Sequence, residues 1–125
     1  MTAAIGVFRP RHLTGEVGRV DHTAGLYGIQ TIPLNSLMDV RLAADIRKAE
    51  IVLLEQDTHA VPLGRFIHPE RALYVVGPEN GSLPREVLDL GRIVQVETAS
   101  RYPLKPHVAA AIVLHDRYTQ IGEAA

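Results

Sequence analysis

The sequence predicts a single α/β domain, residues 1–125, in which a parallel β-sheet carries helices on both faces. Strand-like and helix-like segments alternate along the chain, which is the order of α/β proteins. Several strand segments are continuous apolar runs, and such runs are typical of parallel strands that are covered on both faces. The length of 125 residues is the usual size of one domain.

Five strands and four helices are predicted. The strands are AIGVF near the N-terminus, IQTIPL at 29–34, IVLLEQ at 51–56, ALYVVG at 72–77 and IVQV at 93–96. The helices are Val17 to Tyr27, closed by Gly28, then a helix capped by Asn35 or Ser36, then Leu83 to Leu90, and a long terminal helix from Pro106 to just before Gly122. Arg117 near the end of that helix would place a cation beside its negative end.

Composition limits the function classes. The 13 basic and 14 acidic residues give a net charge of -1, which argues against a protein that coats nucleic acid by charge alone. The chain has no cysteine, which excludes disulfides, thiol catalysis and cysteine-based zinc sites. No apolar stretch approaches the roughly 20 residues that span a bilayer, and no signal peptide is recognisable, so a cytoplasmic protein is expected. The six histidines lack the spacing of metal motifs, so no metal site is expected.

Two short stretches are rich in basic residues. The first holds Arg9, Arg11, His12 and Arg19, and the second holds Arg101, Lys105 and His107. They form either a local basic patch or an ordinary solvated surface.

The loop GPENGSLP at 77–84 follows the fourth strand. Gly77 and Gly81 have no Cβ and would let a ligand approach the backbone, while Glu79 could accept hydrogen bonds. The loop has neither the lysine of a phosphate-binding loop nor the dinucleotide fingerprint, so a plain turn remains the alternative. Loops after the third and fifth strands, EQDTHAVPLGRF and ETASRYPLKP, leave the same edge of the sheet, where parallel α/β sheets bind ligands.

Several of these loops together resemble one family. The segments HPERALYVVGPENGSLPREVLDLGRIVQV and PLKPHVAAAIVLHDRY resemble the SPOUT superfamily of RNA methyltransferases, in its SpoU-type, TrmH-like branch. The N-terminal segment IGVFRPRHLTGEVGRVDHTAGLYGI is similar to the first motif of that family. The resemblance implies a C-terminal deep trefoil knot, a homodimer, and methyl transfer from S-adenosyl-L-methionine to a ribose 2′-oxygen of tRNA or rRNA. By position it assigns cofactor contacts to Leu54, Glu55, Gly77, Val96 and Leu104.

This chain departs from the family pattern at polar positions. The first motif has Glu16 and His22 where the family has asparagine and arginine, so His22 is the candidate base and Glu16 adds negative charge where RNA should approach. Lys105 replaces an asparagine, and Glu79 keeps its place as the second candidate catalytic residue. Contacts with RNA phosphates are expected from basic side chains, namely Arg9, Arg11, Arg19 and Lys105.

Three functions are compatible with these residues. The first is a minimal, active 2′-O-methyltransferase. The second is a diverged relative that binds the cofactor or RNA without transferring a methyl group, since fold alone does not imply function. The third is a small-molecule enzyme on a flavodoxin-like sheet, against which the lack of a phosphate-binding loop argues.

Overall fold

A computed structural model of the chain describes residues 3–10, 13–78, 82–100, 102 and 104–122, except for the side chains of residues 13 and 14. Within these ranges no helix is long and apolar enough to cross a membrane. The same ranges contain no group of three or more His, Cys, Asp or Glu side chains placed to hold a metal ion.

One parallel sheet of six strands forms the centre of the described chain. The strands are β1 (Ala3–Phe8), β2 (Gln30–Leu34), β3 (Glu50–Leu54), β4 (Val61–Pro62), β5 (Ala72–Val76) and β6 (Arg92–Gln95). Their order across the sheet is β2-β1-β5-β3-β6-β4, and every neighbouring pair is parallel. All residues of β1 and β5 are buried, which confirms the interpretation of the apolar runs as covered parallel strands.

Helices cover both faces of the sheet, as the sequence predicts. The helices are α1 (Gly18–Gly25), α2 (Leu37–Arg47), α3 (Arg85–Leu88) and α4 (Pro106–Ile121). Helices α1 and α4 bury their apolar residues against one face. Helices α2 and α3 bury theirs against the other. The two cores fix the positions of the strands, and the strands in turn fix the positions at which the loops at their ends begin.

The predicted helix boundaries are largely confirmed. The side chain of Ser36 caps α2 by accepting a hydrogen bond from the amide of Asp39 at 3.1 Å. The turn after α1 ends at Gly28, whose φ of 67° is a conformation that glycine adopts without a steric penalty. Helix α4 begins at Pro106 and is followed by Gly122 with a φ of 87°.

Three segments differ from the prediction. The predicted loop after β3 contains β4 and a 3₁₀ turn at Leu63–Arg65. Strand β4 pairs with β6 at the edge of the sheet, where a proline such as Pro62 is tolerated. Helix α3 is shorter than predicted: Pro84 is extended and disfavours a helical conformation at Leu83, so the helix begins at Arg85, and it ends at Leu88. The predicted loop before α1 contains a π-helical turn at Leu13–Val17.

Arg117 is buried, so the expectation of a cation at the helix end misses its main role. Only 3% of the residue is exposed, and its guanidinium donates to the carbonyl oxygens of Pro69 and Glu70, each at 2.6 Å. It also donates to the hydroxyl of Tyr74 at 3.0 Å. The last turns of α4 are thereby attached to the loop that leads into β5.

Candidate functional site

Loops at the carboxyl ends of β3 and β5 meet the start of α4 around a cavity of about 440 Å³. Leu54 at the end of β3 and Glu55 directly after it line the cavity, and Val76 lines it at the end of β5. The remaining lining residues come from the loop after β5 and from the start of α4, namely Gly77, Pro78, Ser82, Leu104, Lys105, Pro106 and Ala109. The parallel order of the strands places these loops at one edge of the sheet, as the sequence predicts.

A smaller cavity of about 50 Å³ adjoins the first. It shares Leu54, Glu55, Leu104 and Ala109 with the larger cavity, and Gln56, Val94 and Val96 complete its lining. The loop after β6 reaches the site through Val96. The two cavities form one crevice with a wide part and a narrow part.

The structure brings the five predicted cofactor residues together. The larger cavity is lined by Leu54, Glu55, Gly77 and Leu104. The smaller cavity is lined by Val96 together with Leu54, Glu55 and Leu104. Their proximity follows from the strand order, in which β5, β3 and β6 are consecutive neighbours. Their role in binding stays a prediction.

Glu55 links two of the loops. Its Oε1 accepts a hydrogen bond from the amide of Leu83 at 2.7 Å, which ties the end of β3 to the loop after β5. Burial raises the pKa of Glu55, and the hydrogen bonds from the amides of Leu83 and Gln56 act against this shift. Burial therefore disfavours the ionised form of this carboxyl group, whereas the two amide hydrogen bonds favour it.

Lys105 stands at the cavity next to the first turn of α4. The residue is exposed, lines the larger cavity and immediately precedes Pro106, the first residue of the helix. The unpaired amides of a helix N-terminus carry partial positive charge, which adds to the charge of the Lys105 ammonium. This wall is suited to an anionic group of a ligand or to a phosphate.

The other predicted residues lie elsewhere. His22 and Arg19 are exposed on α1, and neither lines the two cavities described above. Arg9 follows β1 at the same edge of the sheet as the crevice, with its Nε donating to the carbonyl oxygen of Asn35 at 3.3 Å. Arg11 and Glu79 lie outside the described residues.

Glu16 is 4% exposed, so the expectation that it adds negative charge to an RNA-facing surface is wrong. The π-helical turn that contains Glu16 directs this position into the protein. The sequence gives no sign of an ion pair close to the crevice that involves Arg85, a residue that lines neither of its two cavities. Arg85 forms an ion pair with Asp57 at 2.6 Å, which joins the start of α3 to the loop after β3. No local pattern connects two residues this far apart in the chain.

The comparisons with known proteins give a fold and no sequence family. No protein-family model matches the chain, and no curated protein matches it significantly in sequence. Solved structures do match. One belongs to work on the 2-OH methylation of C/U34 on tRNA; it has a TM-score of 0.77 and 17% identity, over 95% of this chain and 90% of that one.

Two further structures match as well. The SpoU methyltransferase AviRb from Streptomyces viridochromogenes has a TM-score of 0.76 and 19% identity, and the match covers 98% of this chain but 62% of AviRb. The A. aeolicus TrmH/SpoU tRNA modifying enzyme has a TM-score of 0.78 and 12% identity, over 98% of this chain and 78% of that one. The described chain therefore has the α/β fold of SpoU-type methyltransferases, as the resemblance in sequence predicts.

Proposed function

We propose that this chain is an S-adenosyl-L-methionine-dependent RNA methyltransferase of the SpoU/TrmH type, and that it modifies a ribose 2′-hydroxyl of tRNA or rRNA. The observation that carries the proposal is the crevice formed by the loops after β3, β5 and β6 at the start of α4. The tRNA 2-OH methylation structure and AviRb, which has also been solved with AdoMet, support it by fold.

The residues of the crevice fit the cofactor. A volume of about 440 Å³ lies within the roughly 300–1,000 Å³ typical of small-molecule sites. Leu54, Val96 and Leu104 offer apolar surface to an adenine ring, and Gly77 leaves its backbone open to approach. The first turn of α4 would lie beside the carboxylate of the ligand. When bound, the cofactor supplies a methyl group that is activated by a sulfonium centre.

The acceptor hydroxyl must lose its proton to a base as it gains the methyl group. We assign that role to His22, with Glu79 as the second polar group of the site. His22 does not line the crevice of its own copy, so the assignment includes a homodimer that brings α1 of one copy to the site of the other. The knotted arrangement of the C-terminal loops is part of the same proposal.

The face formed by α1 and α4 supports a homodimer. Tyr27, His115 and Tyr118 form an aromatic cluster there, with ring centroids of Tyr27 and Tyr118 5.8 Å apart. Leu26 beside this cluster is 72% exposed, and Ile112 and Tyr118 on α4 are also exposed. Exposed apolar side chains grouped in this way are typical of protein–protein contacts.

RNA would approach the carboxyl edge of the sheet. Arg9 and Lys105 lie at that edge, and Arg19 is exposed on α1. We propose that these side chains, together with Arg11, contact phosphates, because a net charge of -1 leaves phosphate binding to local groups.

The second candidate is a protein that binds the cofactor or RNA without methyl transfer. The position of His22 outside the crevice of its own copy favours this alternative, since none of the described residues that line the two cavities is a histidine. A protein that keeps the crevice but lacks a base would still bind the ligand.

Calorimetry with S-adenosylmethionine and with its demethylated product tests the cofactor site. Binding of either compound supports the proposal, and no heat at millimolar ligand overturns it. Transfer of a labelled methyl group to bulk tRNA and rRNA then separates the two candidates. Transfer by the parent, with loss in His22→Ala and retention in His22→Arg, supports the enzyme; binding without transfer in any of the three supports the second candidate.

A further inference from the structure

Glu55 is the single acidic side chain that lines the crevice among the described residues. It lines both the wide and the narrow cavity, so its position is at the junction between them. The side chains around it in the narrow part are mainly apolar, and they include Leu54, Val94 and Val96. The hydrogen bond with Leu83 uses Oε1 of this carboxylate, and the packing of the core does not require a charge at this position.

The charge of this carboxylate has hydrogen-bond donors near it but no cation. The amide of Leu83 donates to it at 2.7 Å. The described residues form no ion pair with it, and Lys105 on the other wall is not among the groups that act on its pKa. Burial and the nearby charge of Asp57 raise the pKa of the group, so its charged form would gain stability from a positive charge in the crevice.

We propose that Glu55 makes this crevice select a sulfonium nucleoside over the corresponding neutral thioether. The inference rests on the proposed function, because it assumes that the ligand is S-adenosylmethionine. A sulfonium carries its charge on a centre surrounded by carbon atoms and has no N–H or O–H donor. It loses less hydration than an ammonium on entering a partly apolar crevice, where one carboxylate can balance its charge.

Two other contacts with Glu55 have different consequences. A hydrogen bond to the ribose hydroxyls would strengthen the binding of every adenosyl compound equally. A contact with the α-ammonium would strengthen the binding of S-adenosylmethionine and S-adenosylhomocysteine equally, since both carry that group. Only a contact with the sulfonium separates these two ligands from each other.

The test compares three ligands and three proteins by calorimetry. The ligands are S-adenosylmethionine, S-adenosylhomocysteine and 5′-methylthioadenosine. The proteins are the parent chain, Glu55→Gln, and the control Glu50→Gln, which removes the same charge from the exposed amino end of the same strand. Glutamine keeps the size of the side chain and an oxygen that can accept from Leu83.

We expect the parent to bind the sulfonium ligand about tenfold more tightly than S-adenosylhomocysteine, which corresponds to about 1.4 kcal/mol. In Glu55→Gln the ratio of the affinities for S-adenosylmethionine and S-adenosylhomocysteine should fall to within about twofold of unity, because one charge–charge contact of about this strength is lost. The affinities for the two thioethers should stay within about threefold of those of the parent. Glu50→Gln should keep the ratio of the parent.

A melting curve without ligand provides a second readout. A carboxyl group with a raised pKa destabilises the folded protein as the pH rises through its unfolded pKa, since the folded state then resists ionisation. Glu55→Gln removes this ionisation, so at pH 7.5 its melting temperature should equal or exceed that of the parent. If Glu55→Gln is as stable as the parent and has lost the preference for S-adenosylmethionine, unfolding is not the cause of the lost preference.

The possible failures can be told apart. If the parent binds none of the ligands, the proposed function and this inference are both overturned. If the parent binds them and Glu55→Gln weakens S-adenosylmethionine and S-adenosylhomocysteine by the same factor, the inference is overturned and the proposed function stands. A ratio that falls equally in Glu50→Gln also overturns the inference, because the effect would then come from overall charge.

Discussion

The guanidinium of Arg117 and the hydroxyl of Tyr74 form a hydrogen bond of 3.0 Å in the interior of the protein. The hydroxyl in turn contacts Nδ1 of His68 at 2.7 Å, and Nε2 of His68 contacts a carboxylate oxygen of Asp116 at 2.8 Å. Because the Tyr74 hydroxyl accepts from Arg117, its own proton is directed to Nδ1, and Nε2 then donates to Asp116. This network attaches the end of α4 to the segment before β5.

Arg117→Met should destabilise the protein by about 2–5 kcal/mol, because it leaves the carbonyl oxygens of Pro69 and Glu70 without this donor inside the protein. Arg117→Lys keeps the charge but not the planar group with several donors, so it should cost less. Urea unfolding measures both. The control Arg41→Met replaces an exposed arginine on α2 and should change the unfolding free energy by less than about 0.5 kcal/mol. Equal effects of Arg117→Met and Arg41→Met would contradict the structural role.

The contribution of His68 to the stability of the protein should fall when the pH is lowered from 7.5 towards 5. Burial lowers the pKa of His68 from its usual 6.5, and Arg117 lowers it further, although the hydrogen bond with Asp116 acts in the opposite direction. Below pH 6.5 the unfolded chain therefore binds a proton that the folded protein resists, and the loss is at most about 1.4 kcal/mol per pH unit. The loss ends once the pH is below the folded pKa.

Unfolding free energies of the parent and of His68→Gln at several pH values test this expectation. The variant should be less stable at pH 7.5, because it disturbs the contacts with Tyr74 and Asp116, but its stability should depend less on pH between 7.5 and 5. A variant with the same pH dependence as the parent would show that another group is responsible.

Gly91→Ala should destabilise the protein by about 2–3 kcal/mol, since a Cβ at this position would collide with the backbone carbonyl of Ile51 on β3. Backbone cannot move aside as a flexible side chain can. Gly64→Ala is the matched control, because a Cβ there meets nothing within 4 Å. It should be neutral or stabilising by up to about 1 kcal/mol. Thermal melts of the two variants test this prediction. Similar melting temperatures would argue against a close approach between Gly91 and the backbone of Ile51.

Lys105→Ala should weaken RNA binding and lower the magnitude of the salt slope by about 0.7–0.9, which corresponds to one phosphate contact. The chain has two lysines, and the other, Lys48, lies at the end of α2 before the amino end of β3. Lys48→Gly removes the same charge and suits its φ of 51°, so it serves as the control. Titrations of tRNA at several salt concentrations should show an unchanged slope for Lys48→Gly. Equal slopes for all three proteins would remove Lys105 from the RNA contacts.

Much of the fold could be predicted because its signals are local. The continuous apolar run at β5 and the cap at Ser36 each depend on a few adjacent residues. The meeting of the loops after β3 and β5 follows from parallel strands, so Gly77 and Leu54 could be placed at one crevice without coordinates.

The remaining features depend on contacts between distant parts of the chain. The two residues of β4 are too few for a pattern, and their pairing with β6 is what makes them a strand. In the sequence Arg117 resembles any charged residue of a helix, because its partners Pro69 and Glu70 lie 48 and 47 positions away. The same applies to His22, whose exposure on α1 depends on which side of that helix meets α4.

The parallel sheet also provides a site, away from the crevice, at which the protein could be attached to a surface. The crevice lies at the carboxyl edge, whereas the turn at Lys48 lies at the opposite edge, about 17 Å away along the five residues of β3. Because the chain has no cysteine, one introduced at that turn would be a unique point for attaching a dye or an immobilising surface. Protein anchored there would present its open edge to the solution, so ligands and RNA could be titrated on the same oriented layer.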